Sequence, residues 1–434
     1  MYSKKDLAEN NFDGQVNKTY KSSKKRSLKY MLEAFKVRNY ILYWVTQFLS
    51  GIGTWAQVIA QSWLILNLTH SAVDLGIITM LQFLPMLLFS LFGGVIADRL
   101  PRKKLLVFTQ IILVVQAVVL GVLVYTHSIT IIEVGILAFI LGTINSLNAP
   151  VQQSFVPELV GRELVPNAIT LNSVQFNTSR MIGGAIGGIA IAFWGISGTL
   201  FLNAVSYIPI IIVLIFIKPQ YTIIKEYLGK KESSLHDLLD GIKYAFGNIS
   251  IQRIILLFGI IGLLGFNWQV AVPLIARYSL HQKVIEFGYL MTALGAGSLI
   301  GAIIETRNNN GGEKRIIWGG IVLGLSILLL GLTYSYILSL ILLAIAGFSG
   351  IIASISTNTQ LQLITPDKFR GRVMGIYVLL MGGTTPIGAF IFGEIAGHLG
   401  TGMALIIFGT ITVIGIFIVS QRKRKIDLIN SSII

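Results

Sequence analysis

The chain has 434 residues, of which 54% are hydrophobic and 12% are charged, and its mean hydropathy is +0.75. An ordinary soluble domain is about one-quarter charged, so this composition excludes a water-soluble globular protein. The net charge of +15 does not indicate nucleic-acid binding, because Lys and Arg stand at the ends of apolar runs and in both tails rather than in a basic groove lined with aromatics.

Residues 1–38 are polar and rich in Lys, and they lack the apolar core of a signal peptide. We predict a basic cytoplasmic tail there. Apolar segments follow, each close to the roughly 20 residues that a helix needs to cross a bilayer. The twelve segments cover residues 40–67, 75–97, 105–126, 129–155, 168–194, 199–217, 251–277, 287–304, 316–334, 337–363, 373–398 and 403–420. Their connections are short except for residues 218–250, which divide the segments six and six.

Positive charge alternates between the two sides of this arrangement. Lys and Arg are frequent in both tails and in the loops after the second, sixth, eighth and tenth segments, whereas the other side carries Arg277 and Lys283. Because cytoplasmic loops are enriched in Lys and Arg, both termini are predicted to lie inside, in a bacterial plasma membrane. The chain has no cysteine, which leaves no thiolate metal site. We also predict no metal site at the outer-loop histidines, His70, His127, His281 and His398.

The connection 218–250 carries an amphipathic pattern. Ser234, three residues before Asp237, resembles a helix start, and the apolar side chains that follow share one helical face. That face consists of Leu235, Leu238, Leu239, Ile242 and Phe246. We predict a helix along the cytoplasmic surface. The predicted organisation is a tail at 1–38, a six-helix bundle at 39–217, the linker 218–250, a second six-helix bundle at 251–420 and a tail at 421–434.

The two halves repeat short patterns at equivalent places. The second segment ends in GGVIADR at residues 93–99, and the eighth ends in GAIIETR at residues 301–307. A Pro-acid pair follows both the fourth segment, at residues 157–158, and the tenth, at residues 366–367. Weak internal symmetry of this kind is typical of secondary transporters.

Residues 93–104, GGVIADRLPRKK, resemble the signature loop of the major facilitator superfamily, which also lies between the second and third helices. The segment FRGRVMG at 369–375, and Arg180 followed by Gly183, Gly187 and Gly188, resemble the drug-efflux branch that includes macrolide-efflux proteins and the enterobactin exporter. The resemblance extends from residue 38 to residue 420.

The resemblance implies an all-α membrane protein with twelve transmembrane helices in two pseudo-symmetric six-helix bundles. It further implies a monomeric secondary active transporter that works by alternating access and needs no cofactor. The expected activity is proton-coupled export of amphiphilic small molecules, such as macrolides or siderophores. A carrier for lysophospholipid or another metabolite, without proton antiport, is the alternative.

The residues of the signature loop have a physical interpretation of their own. Gly94 allows close approach of a neighbouring helix. Asp98 can accept hydrogen bonds at a helix amino terminus, where the dipole favours negative charge, and Arg99 and Arg102 can pair with acids across the cytoplasmic seam. Alternatively, the bases only fix the topology. The predicted cytoplasmic gate consists of Gly94, Asp98, Arg99, Arg102, Glu158, Glu305, Asp367, Arg370 and Arg372.

Arg180 lies near the middle of the fifth segment, where an unpaired charge costs roughly 3 kcal/mol. Two interpretations remain open: a cavity-facing cation that holds an anionic group, or a structural ion pair or carbonyl clamp between helices. Uncharged polar side chains along the spans are predicted to line the same broad cavity, although each could instead bond helix to helix. These residues are Gln47, Thr54, Gln57, Gln61, Asn145, Asn148, Gln152, Asn267, Trp268 and Asn358.

No Asp or Glu maps to the middle of a predicted span. Glu133, Glu394 and Asp74 lie toward the outer ends and are the candidates for proton coupling, which rests mainly on the resemblance. An enzyme or an ATP-driven pump is disfavoured because the sequence has neither a G-x-x-x-x-G-K-[ST] loop nor a soluble domain long enough for a nucleotide site. A passive channel or scaffold is disfavoured by the repeat of six and six segments and by the predicted gate.

Overall fold

The computed structural model describes residues 32–218, 243–307 and 312–431, with the backbone alone at 90–99, 306–307, 367–368 and 422–431. These described residues form helices and no strand, which confirms the all-α prediction. A short 3-10 turn, Glu33–Lys36, precedes the first helix. The helices are α1 (Arg38–Thr69), α2 (Ala72–Arg99), α3 (Arg102–Tyr125), α4 (Ile131–Val160), α5 (Val165–Phe216), α6 (Ile249–Ile260), α7 (Trp268–Leu274), α8 (Val284–Arg307), α9 (Glu313–Leu332), α10 (Tyr336–Ile364), α11 (Asp367–Gly383), α12 (Thr385–Leu399) and α13 (Thr401–Ser431).

Ten stretches of helix within the described residues are long and apolar enough to cross a membrane. The stretch that contains α5 makes two crossings, because Gly195 adopts a left-handed φ of 72° and turns the chain back. Both ends of α5 therefore reach the start of α1. There the Tyr40 hydroxyl donates to the Ala168 carbonyl at 3.1 Å, and the Asn39 amide donates to the Lys218 carbonyl at 3.0 Å.

Helix α1 supplies the twelfth crossing. It is more polar than the others because it carries Gln47, Gln57 and Gln61, but its 32 residues extend about 48 Å at 1.5 Å per residue. It packs along the first arm of α5, residues 165–194, at the centre of the first half. The structure thus has the twelve crossings that the apolar segments predicted.

Two crossings of the second half are broken near their middle. Between α6 and α7 lies a π-helical turn, Ile261–Gly265, followed by Asn267 in a non-helical conformation. Between α11 and α12 the helix breaks at Thr384, two residues before Pro386, whose ring nitrogen has no hydrogen to donate. Interrupted membrane helices of this kind commonly line the substrate site of a transporter.

The same helix pairs pack in both halves. Gly142 of α4 lies against the Gln82 carbonyl of α2, and Gly347 of α10 lies in the same way against the Leu294 carbonyl of α8. Away from these contacts, α3 packs on the second arm of α5, residues 196–216, and α9 packs on α13. These equivalences show two pseudo-symmetric six-helix bundles, as predicted.

The two halves are in close contact toward one end of the molecule. We call the end at which α1, α3 and α9 begin the basic end, and the other the opposite end. Toward the opposite end, a Cβ added to Gly393 of α12 would lie 2.8 Å from the Cα of Gly76 in α2. One added to Gly288 of α8 would lie 3.1 Å from the Cα of Gly188 in α5. Backbones approach this closely only where both residues lack a side chain.

Only the last turn of the predicted linker helix falls within the described residues. There Tyr244 stacks on Phe369 at the start of α11, with ring centroids 4.0 Å apart, and Ala245 is fully buried. The end of the linker therefore packs on the second half, whereas Phe246 is exposed. The other residues of the predicted amphipathic pattern lie outside the described residues, namely Ser234, Leu235, Asp237, Leu238, Leu239 and Ile242.

Candidate functional site

Polar side chains of α1 form a hydrogen-bond network with α3 and the second arm of α5. Gln57 donates to Gln116 of α3 at 3.1 Å and accepts from Asn203 of α5. Thr54 shares a hydrogen bond of 3.0 Å with the Tyr207 hydroxyl. The three amides and Tyr207 are buried, so this network joins helices within the first half.

Gln61 and Asn148 also bond to neighbouring helices. Gln61 donates to Gln82 of α2 at 2.9 Å, and Asn148 accepts from Thr109 of α3 at 3.1 Å. Both are buried. Such hydrogen bonds between helices are the alternative to a cavity lining that the sequence predicted. A role of either residue in the cavity stays a prediction.

The remaining uncharged candidates have fewer partners. Asn145 is exposed on α4, and Gln152 is half-buried one to two turns further along. Gln47 has a buried amide oxygen without a hydrogen-bond partner. Asn358 accepts from Gln362 within α10 at 2.6 Å. Exposed amides at membrane depth need water or a polar ligand, which makes Asn145 and Gln152 the stronger cavity candidates on α4.

A Gln57→Met substitution separates the structural role from the cavity role. It would leave Gln116 and Asn203 buried with lost partners, at a cost of about 1–3 kcal/mol. We expect a lower midpoint of thermal unfolding and unchanged transport per folded molecule. Gln153→Met, at an exposed position of α4, is the matched control and should leave the midpoint unchanged. Altered cargo affinity at unchanged stability would instead assign Gln57 to the cavity.

Asn267 occupies the break between α6 and α7. Its amide nitrogen donates to the Leu263 carbonyl at 2.7 Å, and its oxygen is buried without a hydrogen-bond partner. Gly388 of α12 packs directly against this amide. Trp268, the next residue, is buried in the core of the second half. The break thus presents one unused acceptor, on Asn267, beside a tightly packed helix crossing.

Arg180 projects from the first arm of α5 at membrane depth. One terminal nitrogen donates to the Asn177 side chain at 3.3 Å, and the guanidinium carbon lies 5.8 Å from the centre of the Trp55 ring. Its Nε is buried without a hydrogen-bond partner. Among the described side chains no carboxylate pairs with Arg180, and no described backbone carbonyl accepts from it. Neither form of the structural alternative is therefore present in the described part of the chain.

The three carboxyls predicted for proton coupling lie at helix ends. Glu133 completes a capping box with Thr130, whose backbone N–H donates to the Glu133 carboxylate at 2.6 Å. Glu394 lies 3.4 Å from His398 one turn later, and Asp74 is in the first turn of α2. The capping box and the His398 contact give Glu133 and Glu394 local structural roles. A role of any of the three in coupling stays a prediction.

At the basic end, the described ion pairs join helices of the same half. Arg102 pairs with Glu158 of α4, which is another of the predicted gate residues. Glu305 of α8 is buried and accepts from Arg315 of α9 at 3.0 Å and from Ser356 of α10 at 2.8 Å. The described contacts between the halves lie at the opposite end and near mid-depth.

The other predicted gate residues lie nearby or are not described. Arg370 donates to the Gln362 and Thr365 carbonyls at 3.2 and 3.4 Å, and the guanidinium of Arg372 lies 5.7 Å from the centre of the Phe369 ring. The side chains of three gate candidates, and the surroundings of one glycine, lie outside the described residues. These are Asp98, Arg99, Asp367 and Gly94.

A set of contacts at the opposite end was not predicted, and we call it the latch: Trp63, Asn67, Arg277 and Phe287. Trp63 of α1 stacks on Phe287 of α8 with ring centroids 5.9 Å apart, and the Arg277 guanidinium lies 5.4 Å from the Trp63 centroid. Arg277 also donates to the Asn67 side chain at 2.6 Å. The latch ties the first half to the second. The sequence did contain an indication of these contacts, because Arg277 and Lys283 are the two Lys or Arg residues on that side of the predicted spans.

Replacing Arg277 should loosen the latch. Arg277→Gln removes a cation–π contact and a charge-assisted hydrogen bond, which together contribute about 1–2 kcal/mol at a partly exposed site. We expect the fraction of molecules open at the opposite end to rise about 5- to 30-fold.

Spin labels at Ser128→Cys and Leu399→Cys, one in each half at the opposite end, would report the separation of the halves. Because the chain has no cysteine of its own, the labels are unique. Lys283→Gln is the control, since Lys283 is the other base at that end and is exposed. Identical distance distributions for Arg277→Gln and the control would show that Arg277 does not hold the halves together.

Comparison with known proteins gives consistent results for family and fold. A family model described as transmembrane secretion effector matches residues 31–431. The chain is 24% identical over 396 residues to a staphyloferrin A transporter of Staphylococcus aureus, with 90% of this chain and 98% of that protein covered. It is 24% identical over 395 residues to the multidrug efflux pump Tap of Mycolicibacterium fortuitum, with 87% and 95% covered.

An enterobactin exporter of Escherichia coli is also 24% identical, over 371 residues, with 82% of this chain and 86% of that protein covered. Among solved structures, the nucleoside transporter NupG superposes with a TM-score of 0.72 at 12% identity, covering 88% of this chain and 98% of that one. A D-xylose-proton symporter superposes with a TM-score of 0.69 at 15% identity, covering 88% and 97%. At such identities the structural likeness concerns the fold alone.

Proposed function

Since the chain belongs to the transmembrane secretion effector family of the major facilitator superfamily and is a membrane transporter, we propose that it exports amphiphilic small molecules in exchange for protons. It works by alternating access, as a monomer in the bacterial plasma membrane with both termini in the cytoplasm. The Lys and Arg bias of the connecting loops supports this orientation.

The observation that carries the proposal is the uneven contact between the halves. The described contacts between them lie at the opposite end and near mid-depth: the latch, the glycine crossings of α2 with α12 and of α5 with α8, and the hydrogen bond from Thr292 to the Met181 carbonyl at 2.9 Å. The described ion pairs at the basic end stay within one half. Such contacts at the opposite end are the ones expected of a carrier that is closed outward.

The cargo class is inferred from the relatives and from the chemistry of the spans. The relatives are named for staphyloferrin A, for multiple drugs and for enterobactin. The amides of Asn145 and Gln152 and the guanidinium beside Trp55 offer hydrogen bonds next to apolar and aromatic surface. Such a mixture accommodates molecules with both polar and apolar faces.

Proton coupling requires a group that changes its access to water as the halves rock. Glu133, Glu394 and Asp74 are the candidates from the sequence. Glu286, in the first turn of α8 beside Phe287 of the latch, joins them because one of its carboxylate oxygens is buried without a hydrogen-bond partner. Opening of the latch would expose this carboxylate, so its protonation and the closure of the opposite end are coupled in this proposal.

The test uses inverted membrane vesicles that contain the protein and a panel of macrolides, cationic dyes and catecholates. Uptake that collapses when the proton gradient is dissipated is the expected result, and Glu286→Gln, Glu133→Gln and Glu394→Gln would then identify the coupling carboxyl. Uptake that survives dissipation, or that occurs only in right-side-out vesicles, would reject proton-coupled export. A metabolite or lysophospholipid carrier without proton antiport would take its place, and that alternative agrees with the lack of an Asp or Glu at the middle of any predicted span of the sequence.

A further inference from the structure

Arg180 lies deep in the membrane and close to the contact between the halves. At 1.5 Å per residue it is about 22 Å from the start of α5 at the basic end. On one side of Arg180, Gly183 packs on Trp55 and on the Ile52 carbonyl of α1. On the other side, the Met181 carbonyl accepts from Thr292 of α8. The guanidinium therefore belongs to the part of α5 that passes between one helix of each half.

Unlike Arg102, Arg253 and Arg315, Arg180 has no counter-ion among the described residues. Arg102 pairs with Glu158, Arg253 with Glu313 at 2.7 Å and Arg315 with Glu305 at 3.0 Å. The chain has 19 acidic residues, and none occurs between residues 165 and 216. A guanidinium without a counter-ion at this depth is costly to maintain, and among the described residues only Asn177 and Trp55 offset part of that cost.

The hydrogen-bonding capacity of Arg180 is also largely unused. A guanidinium has five N–H donors. Within the described residues, Arg180 makes one long hydrogen bond, to Asn177 at 3.3 Å, and its buried Nε–H has no acceptor. An arginine with free donors in one plane binds a carboxylate or a similar planar anion through two parallel hydrogen bonds.

Aromatic surface lies next to these donors. The guanidinium packs over Trp55, and Phe176 meets the same ring edge-on, with centroids 5.7 Å apart. Packing over a ring leaves the in-plane N–H groups of an arginine available. Phe176 is exposed and not enclosed by the protein, so an apolar or aromatic group of a ligand can lie against it while an anionic group reaches Arg180.

We propose that Arg180, with Trp55 and Phe176, forms the subsite that binds the anionic group of an aromatic or apolar carboxylate, so that the transporter prefers amphiphilic anions to neutral analogues of the same shape. The inference rests on the proposed export function and specifies its substrate class. A phospholipid headgroup is not the ligand intended, because Arg180 lies far below the headgroup region.

The test compares two probes that differ only in charge, 2,3-dihydroxybenzoylserine and its carboxamide. Their binding to the purified full-length protein is measured by tryptophan fluorescence, and their uptake is measured in inverted vesicles. We expect the anion to bind at least about 10-fold more tightly than the carboxamide, as befits hydrogen bonds to a charged group. Arg180→Gln should weaken binding of the anion about 10- to 150-fold and leave binding of the carboxamide unchanged.

Arg180→Lys is the second variant. It keeps the positive charge, so the test does not require the protein to fold with a neutral residue at position 180. It should retain a reduced preference for the anion, since an ammonium cannot form the paired hydrogen bonds. Lys36→Gln, at an exposed cation, is the control and should bind both probes like the unaltered protein.

Equal affinity of the unaltered protein for the two probes would overturn the subsite, even if both were exported under a proton gradient. So would an unaltered preference for the anion in Arg180→Gln, or binding of neither probe. A clear preference for the anion in the binding assay without uptake of either probe would support the subsite and count against export.

Discussion

A disulfide between Val73→Cys and Gly397→Cys should abolish transport, and a reductant should restore it. A Cβ added to Gly397 of α12 would lie 3.8 Å from the Cβ of Val73 in α2. This is the mean Cβ separation of natural disulfides. The disulfide would link the two halves covalently at the opposite end, where the proposed mechanism requires the halves to separate. Uptake by oxidised vesicles should fall to the level of vesicles that lack the protein.

Only the introduced cysteines can form a disulfide, because the chain has no cysteine of its own. The matched control is a disulfide within the second half, Gly324→Cys with Thr412→Cys, where the corresponding Cβ separation is 3.1 Å. It joins α9 to α13, which move together if each half is a rigid body, so oxidation should leave transport intact. The two single-cysteine variants of the inter-half pair should also be insensitive to oxidant. Full transport by the oxidised inter-half pair would contradict alternating access at this seam.

Loss of Arg315 should destabilise the second half strongly. Glu305 is almost completely buried, with 4% of its side chain exposed, and its carboxylate depends on Arg315 and Ser356. Removing one partner of a buried ion pair leaves a buried charge without compensation, which lowers the free energy of unfolding by about 3 kcal/mol. The loss here is at or slightly below that value, because Arg315 is partly exposed. We expect Arg315→Met to lower the midpoint of thermal unfolding by roughly 6–12 °C.

A second substitution identifies the cause. Glu305→Gln in the Arg315→Met background removes the stranded charge and keeps an acceptor for Ser356, so most of the lost stability should return. Lys36→Met, which breaks the exposed pair with Glu33 at 3.2 Å, is the control and should change the midpoint little, as surface pairs contribute about 0–1 kcal/mol. An unchanged midpoint in Arg315→Met would mean that Glu305 is compensated by other groups.

The two ion-pair systems of the basic end illustrate how far pseudo-symmetry extends. Glu305 lies in the last turn of α8 as Asp98 does in α2, and Arg315 lies in the first turn of α9 as Arg102 does in α3. The described ion pairs are Arg315 with Glu305 of α8 and Arg102 with Glu158 of α4. The repeated pattern in the sequence gives the charged residues at these two corners of the bundle, whereas the described pairs are seen only in the structure.

The sequence by itself determined the twelve crossings, the division into halves and the resemblance to the family. Each crossing depends on the free energy of transferring one segment from water into hydrocarbon. That free energy is a property of the segment alone. For the same reason the sequence placed Gly195 between two segments, and the two arms of α5 meet there. Arg180 was identified as exceptional because the cost of a buried charge is likewise local.

Only the tertiary structure decided what each polar side chain contacts. Gln57 faces Gln116 and Asn203, Glu133 caps its own helix, and Arg277 reaches Trp63 across the two halves. These contacts depend on the rotation of every helix about its axis and on the packing of residues that are far apart in the sequence. Apolar runs without a polar face do not specify that rotation. Close packing at glycines and the pairing of polar groups specify it instead, and both appear only when all the helices are in place.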